Sequence, residues 1–308
     1  TKKVSKIIKN NDIIIFESTF YPGTVDEILI PIIERNSNLN SKTDFFVGYS
    51  PERINPGDKY HRLEKIKKII ASNTKEGKII IRNLYKKIIK AGIYEVSSIK
   101  TAELSKILEN SQRYVNIALV NQISTLCDKL DIQTKEVIDA ASTKWNFMSF
   151  YPGLVGGHCV AIDPIYLSYK QKKLGLSSKL IDISKDINEK KIVKIINKIN
   201  LKKKNQKILI LGATFKENCP DFRNSGSISL IKKLNKKKII PYLHDPYLSS
   251  KNISQIKNCL FRHTKFLNRF KYDYIIITVS HNSYKRMGIK KIKNLSSKKN
   301  CKLFDLKS

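Results

Sequence analysis

The sequence predicts an α/β chain with two sheet-forming parts joined by a long-helix region. Three observations carry this. Residues 1–91 alternate apolar β-type runs with helical segments, as a doubly wound sheet does. Residues 98–130 form one helical run with neither Gly nor Pro. From residue 207 a second strand–helix alternation begins and runs to the end, about a hundred residues, a normal domain size.

In order, the first ten residues have helical character. Ile13, Ile14, Ile15 and Phe16 then read as a buried parallel strand ending at Glu17-Ser18-Thr19. Pro22 and Gly23 turn the chain, and Thr24 is a suitable N-cap for a helix over residues 25–34. A short strand at 45–49 leads into SPERINPGDKY, and residues 62–92 give a helix–strand–helix pattern. Along the long helix Leu104, Ile107, Leu108, Val115 and Leu119 recur at helical spacing, and its length suits a dimer interface. Lys106, Asn110 and Arg113 share one face, either a solvated stripe or one side of a site. A helix at 134–141 precedes TKWNF, where Trp145 reads as packing rather than stacking. A further helical region follows Pro164 to about residue 200. LKKKNQK is a polar hinge. Strands are expected at 207–212, 239–243, 274–279 and 301–304, with Ser225 or Ser227 capping a helix between them.

Composition bounds the function. The chain has 308 residues, 41% of them hydrophobic, enough for one large or two ordinary domains. No apolar run spans a membrane and the start has no signal-type apolar segment, so a cytoplasmic location with no membrane partner is expected. Five cysteines, at 127, 159, 219, 259 and 301, include no CxxC pair, which argues against a disulfide frame or a zinc site. The net charge of +33 is mostly scattered lysine that accompanies abundant Ile and Asn, a codon-bias pattern. It suits attraction of polyanions such as nucleotide diphosphates better than a specific nucleic-acid groove, since aromatics do not interleave with the lysines.

Two loops carry chemistry. In YPGLVGGHCVAIDPIY, residues 151–166, Cys159 follows Gly156 and Gly157, with Gly153 upstream and Asp163 four residues on. A thiol on a glycine loop beside a carboxylate suits covalent catalysis, and a buried cysteine on a turn is the plainer alternative. In GATFKENCPDFRNSGS, Lys216, Asp221 and Arg223 lie beyond the carboxyl end of a strand, where α/β sheets bind ligands and cations meet phosphates. No GxGxxG turn occurs anywhere, so the chain reads as starting in mid-domain.

Taken together, STFYPGT, GYSPERINPGDK, AELSKILEN, PGLVGGHCVAIDP and GATFKENCPDFRNS resemble, in family order, the UDP-glucose/GDP-mannose dehydrogenases. SPERINPGDKYHRL, TKWNF and LVGGHC are similar to the UDP-N-acetylhexosamine 6-dehydrogenases of the Vi-polysaccharide type. The resemblance implies the C-terminal part of an NAD-binding Rossmann domain over 1–95, a central helical dimerisation domain over 96–203, and a UDP-sugar-binding α/β domain over 204–308. Roughly 100 residues of the NAD domain, with its glycine turn, would be missing.

It further implies two successive NAD-dependent oxidations of a sugar C6 alcohol through a Cys159 thiohemiacetal and thioester. Lys106, with Thr19 or a water, would take the first proton, and Lys106 and Asn110 would hold the oxyanion. Glu52 or Asp163 would activate the hydrolytic water, though Glu52 beside Arg53 equally suits a structural ion pair. Glu17, Thr19 and Arg223 would contact NAD. Lys106, Asn110, Arg113, Phe150, Gly153, Gly156 and Lys216 would contact the UDP-sugar, in a homodimer or larger assembly without metal or specific nucleic acid. His158 and Cys219 have no implied role. The alternatives are an inactive or split fragment of such an enzyme, a basic nucleic-acid-binding protein, and a thiol hydrolase, which no distant histidine supports.

Overall fold

The structure is a computed structural model that describes residues 1–54, 58, 60–199, 206–296 and 302–306. Most of the lysine hinge, Cys301, and Asn55 to Gly57 with Lys59 of the SPERINPGDKY segment lie outside the described residues. The chain forms two compact units. One comprises Thr1–Gln112 with Asp163–Ser178, the other Arg113–Ile162 with Lys179–Ser308.

The first unit contains a four-stranded sheet in the order β1 (Ile13–Phe16), β2 (Phe46–Tyr49), β3 (Lys68–Ser72) and β4 (Ile93–Glu95). β1 and β2 are parallel, as are β3 and β4, but β2 and β3 run antiparallel, so this sheet is mixed rather than uniformly doubly wound. The short, mostly exposed β4 has no clear apolar run and was not expected. One face of the sheet packs against Val25, Ile33, Ile99 and Ala102. The other meets α2 (Lys75–Lys86) through Ile81 and Tyr85. The expected helix 25–34 is instead a π-helical turn, Val25–Leu29, followed by α1 (Ile30–Ser37). Pro31 cannot return an N–H to the carbonyl of Glu27, so the turn ahead of it widens. The opening segment is only a short 3-10 turn, Val4–Lys6.

α3 (Ile99–Leu130) and α4 (Thr134–Ala141) stand where the sequence places them. The chain covers only part of the apolar stripe of α3. Ile99, Ala102, Ile107, Tyr114 and Ala118 are buried, while Leu104, Leu108 and Leu119 face solvent. The helical region after Pro164 is two helices, α5 (Asp163–Lys173) and α6 (Lys179–Lys198). Gly175 separates them in a left-handed conformation (φ 72°) that ends α5.

The second unit holds a five-stranded, all-parallel sheet in the order β7-β6-β5-β8-β9. The strands are β5 (Ile208–Leu211), β6 (Tyr242–His244), β7 (Leu260–Phe261), β8 (Tyr274–Ile277) and β9 (Lys302–Asp305). Both faces are covered, as a parallel sheet requires. Ile208 and Ile210 pack toward Leu230, Leu234 and the α6 residues Ile192, Ile195 and Ile196. Leu209 and Leu211 point to the opposite face, toward Tyr272, Tyr284 and Ile292. β6 starts three residues later than expected. Pro241 cannot donate into a ladder, so pairing begins after it. The two-residue β7 is too short for a sequence pattern to show. Ser225, not Ser227, caps α7 (Gly226–Lys236) by accepting from Ser227 N–H. α8 (Ser250–Gln255) has a Ser249/Asn252 capping box, and α9 (Asn282–Lys293) follows β8.

Candidate functional site

The first unit contains Glu17, Thr19, Glu52, Lys106, Asn110 and Asp163. Glu17 and Thr19 leave the carboxyl end of β1, and Glu52 follows the parallel neighbour β2, the edge where such sheets bind ligands. Lys106 and Asn110 are one turn apart on α3, and both are buried. Lys106 Nζ donates to the Glu52 carbonyl at 2.7 Å, and Asn110 Nδ2 donates to Asp163 Oδ2 at 2.6 Å. Burial pushes the Asp163 carboxyl above its usual range, even though the Asn110 bond and the charges of Lys106 and Arg53 pull it down.

Glu52 does not pair with Arg53. Its Oε1 instead accepts the N–H groups of Arg53 and Ile54, while the Arg53 guanidinium pairs with Glu109. The ion-pair reading is right for Arg53 but names the wrong partner. Lys68 went unnoticed in the sequence. It is 4% exposed, donates to Glu17 at 2.8 Å and lies 3.6 Å from Glu52. Tyr85 donates to the same Glu17 oxygen at 2.7 Å. Burial raises Glu17, and the Lys68 and Tyr85 bonds outweigh that, leaving it below its ordinary value. The only available signal was a lysine at the first position of an apolar strand.

Glu103 was also missed, although it lies inside the AELSKILEN motif. It is fully buried and accepts from Gly23 N–H at 2.5 Å and Val25 N–H at 3.0 Å. It therefore caps the π-helical turn, the role expected of Thr24. Thr24 itself has helical φ/ψ and donates its hydroxyl to the Tyr21 carbonyl. Burial lifts Glu103 to about 7, despite the two N–H bonds that favour its anion.

The second unit holds the glycine loop and the loops beyond β5. Cys159 is exposed, not a buried core thiol, whereas Cys127 and Cys219 are buried. Gly157 has φ 92° and donates to the Asn224 carbonyl at 3.0 Å. A Cβ on Gly156 would stand 2.7 Å from that carbonyl oxygen and 2.9 Å from Gly226 N. These glycines let the cysteine loop lie directly on the backbone at 224–226. Gly153 differs, since a Cβ there meets nothing within 4 Å. Its N–H and carbonyl are both read by the Asn121 amide at 3.0 Å. Gly156→Ala is therefore expected to cost about 1–3 kcal/mol, and Gly153→Ala under about 0.5 kcal/mol, in thermal melts. Equal melts would refute the contact.

Lys216 lies 5.6 Å from the Phe215 ring centre. Arg223 is exposed and forked onto Asp221, at 3.0 Å from Nε and 2.7 Å from Nη2. Those bonds hold Asp221 at about 2. His158 approaches the same carboxylate at 3.4 Å, which gives it a structural setting on the loop. Phe150 is half-buried. Arg113 is exposed and does not share the burial of Lys106 and Asn110. Trp145 is 96% exposed, so the expected packing role is absent within the chain. Among the described residues no His, Cys, Asp and Glu cluster could hold a metal. Among them, too, no helix is long and apolar enough to cross a membrane.

Sequence and structure comparisons agree on what this arrangement is. Residues 1–89 match the NAD binding domain of the UDP-glucose/GDP-mannose dehydrogenase family, 100–190 its central domain, and 209–308 its UDP binding domain. A UDP-N-acetyl-D-glucosamine 6-dehydrogenase of Pseudomonas aeruginosa is 40% identical over 314 residues, which cover all of this chain and 74% of that protein. A protein of the same name from Salmonella typhi is also 40% identical, over all of this chain and 73% of its own length. The solved UDP-D-ManNAc dehydrogenase from Pyrococcus horikoshii superposes with a TM-score of 0.85 at 26% identity, over all of this chain and 71% of that one. Three domain models in family order and relatives at this identity over the whole of this chain leave one assignment: the chain belongs to the UDP-glucose/GDP-mannose dehydrogenase family.

Proposed function

We propose that the chain oxidises C6 of a UDP-N-acetylhexosamine to the carboxylate, with UDP-N-acetylglucosamine, the substrate in the names of its relatives, as the first candidate. The observation that carries this is the buried Lys106 and Asn110 pair, with Asn110 bonded to Asp163, in a chain that also presents Cys159 on an open glycine loop.

The residues beyond β1 fit the nicotinamide end of NAD: Glu17 and Thr19 follow the carboxyl end of β1, which runs parallel to β2. When bound, NAD accepts the hydride of each oxidation. The chain's own groups do the rest. Lys106, or a water beside Thr19, takes the proton of the C6 hydroxyl. The Cys159 thiolate adds to the resulting aldehyde, forming a carbon–sulfur bond and placing negative charge on the old carbonyl oxygen. The Lys106 ammonium and the second N–H of Asn110 Nδ2 stabilise that charge. Loss of hydride from C6 leaves a thioester. Water then attacks it, the carbon–sulfur bond breaks, and the thiol is regenerated. Asp163, whose raised pKa lets it take a proton from water, is the base, and Glu52 orders the backbone beneath Lys106. Lys216 takes the diphosphate of the UDP-sugar. Phe150, Gly153 and Gly156 shape the loop over the sugar, Arg113 is a peripheral substrate contact, and Arg223 meets the NAD pyrophosphate.

The exposed Leu119, Leu126 and Leu130 on α3 support a homodimer, which sedimentation would read directly. The function is tested by NAD+ reduction with UDP-N-acetylglucosamine, on this chain and on one extended upstream. NADH should form twice per sugar, with uronate as product. No turnover by either chain would remove the enzyme reading. Turnover by the extended chain alone would favour the fragment reading for residues 1–308.

A further inference from the structure

The all-parallel sheet of the second unit reverses its strand order between β5 and β8, the place where such sheets take ligands. The loop after β5, residues 212–218, carries Lys216. It is held by a buried polar cluster that the mechanism above does not use. His281, from the loop after β8, is fully buried, and Asp245, just after β6, nearly so.

The bonding of this cluster fixes protons. Asn218 N–H donates to His281 Nδ1 at 3.0 Å, so that nitrogen must be an acceptor. The ring proton therefore sits on Nε2. It points at Asp245 Oδ2, 3.1 Å away, and at Thr214 Oγ1, 3.2 Å away. Asp245 Oδ2 also accepts Ala213 N–H at 2.6 Å and Thr214 N–H at 3.1 Å. The Thr214 hydroxyl donates to the Lys216 carbonyl at 3.0 Å. Asn218 is left-handed (φ 55°), and its side chain is held by Tyr247 OH and Asn282 N–H. The first, second, fourth and sixth residues of Ala213–Asn218 are thus tied into one hydrogen-bonded chain through a single neutral imidazole.

The geometry points to His281 and Asp245 as positioning residues that set the shape of the 213–218 loop for a nucleoside-diphosphate ligand. Neither touches the ligand. They act through Asn218, Thr214 and the Lys216 carbonyl. This rests on the proposed nucleotide-sugar reading of that loop. The arrangement requires one protonation state. An imidazolium carries N–H on both nitrogens and cannot accept from Asn218. The other groups facing His281 are the Asp245 carboxylate, the buried His244, and the rings of Tyr247 and Tyr284, 4.9 and 5.5 Å away between centres. Lys285 on α9 is engaged with Glu217 at 3.2 Å.

The test uses His281→Leu and His281→Asn in the full chain. Binding of UDP-N-acetylglucosamine is followed calorimetrically. Amide hydrogen exchange at 213–218 is followed without ligand. His281→Leu should bind about ten-fold or more weakly, and its loop amides should exchange about ten-fold or more faster. His281→Asn keeps an acceptor for Asn218, so it should recover part of the affinity. Should His281→Leu not fold, the binding and loop exchange of His281→Asn decide. Affinity within two-fold of native in the variants, with unchanged exchange, overturns the clamp. A native chain that does not bind the nucleotide sugar overturns the function proposed above, whereas faster loop exchange in the variants would still support the clamp.

Discussion

Replacing Cys159 by serine is expected to lower steady NADH formation from UDP-N-acetylglucosamine by about a thousand-fold or more. The thiolate is the reacting species of cysteine, and a serine hydroxyl without an activating base is a poor substitute. Cys159 is exposed, and its loop is held by backbone contacts of Gly156 and Gly157. The substitution therefore changes chemistry and not packing, and the melting temperature should stay within about 2 °C of native. The first oxidation does not need the sulfur, so a single burst of about one NADH per active site should remain, with the aldehyde held on the enzyme in place of uronate. A stopped-flow trace with mass analysis of the sugar separates these stages. Steady turnover within ten-fold of native would sink the covalent mechanism.

The second large effect is on stability. Glu103→Ala leaves the Gly23 and Val25 N–H groups without their buried acceptor, at a net cost of about 2 kcal/mol, or roughly 4–8 °C in melting temperature. The native residue also makes stability depend on pH. Its folded pKa of about 7 lies above the ordinary 4.5, because burial disfavours the anion. The folded chain therefore holds a proton that the unfolded chain has already released. This contribution is fully present below about pH 4.5 and is lost as pH rises toward and through 7. Denaturant midpoints for the native chain and Glu103→Ala should differ most at acidic pH and converge toward pH 8. A constant difference across that range would contradict the assignment.

The fold was legible where burial leaves a pattern. The apolar runs at Ile13–Phe16 and Ile208–Leu211 are strands, and the Gly- and Pro-free stretch is one 32-residue helix. β4 and β7 were illegible because two or three residues at a sheet edge bury too little to write a period. The antiparallel step between β2 and β3 leaves no mark on either strand's composition. The loops that carry chemistry were visible through glycine and cysteine. Glu103 and Lys68 were not, because each reads as an ordinary charge until partners 80 and 51 residues away arrive. The leucines of α3 show a further limit. Helical spacing marks an apolar stripe, but it does not say whether the chain itself covers that stripe.

The two glycines before Cys159 have one more consequence. They set the thiol loop directly on the backbone at 224–226 and on the Phe215 ring, beside Lys216. Within that unit these contacts set the backbone spacing between the cysteine loop and the Lys216 loop, like the gap of a caliper. On the proposed reading, the caliper selects which carbon is oxidised by its reach from the phosphate, so widening it with a side chain at Gly156 should shift the position of attack as well as slow it.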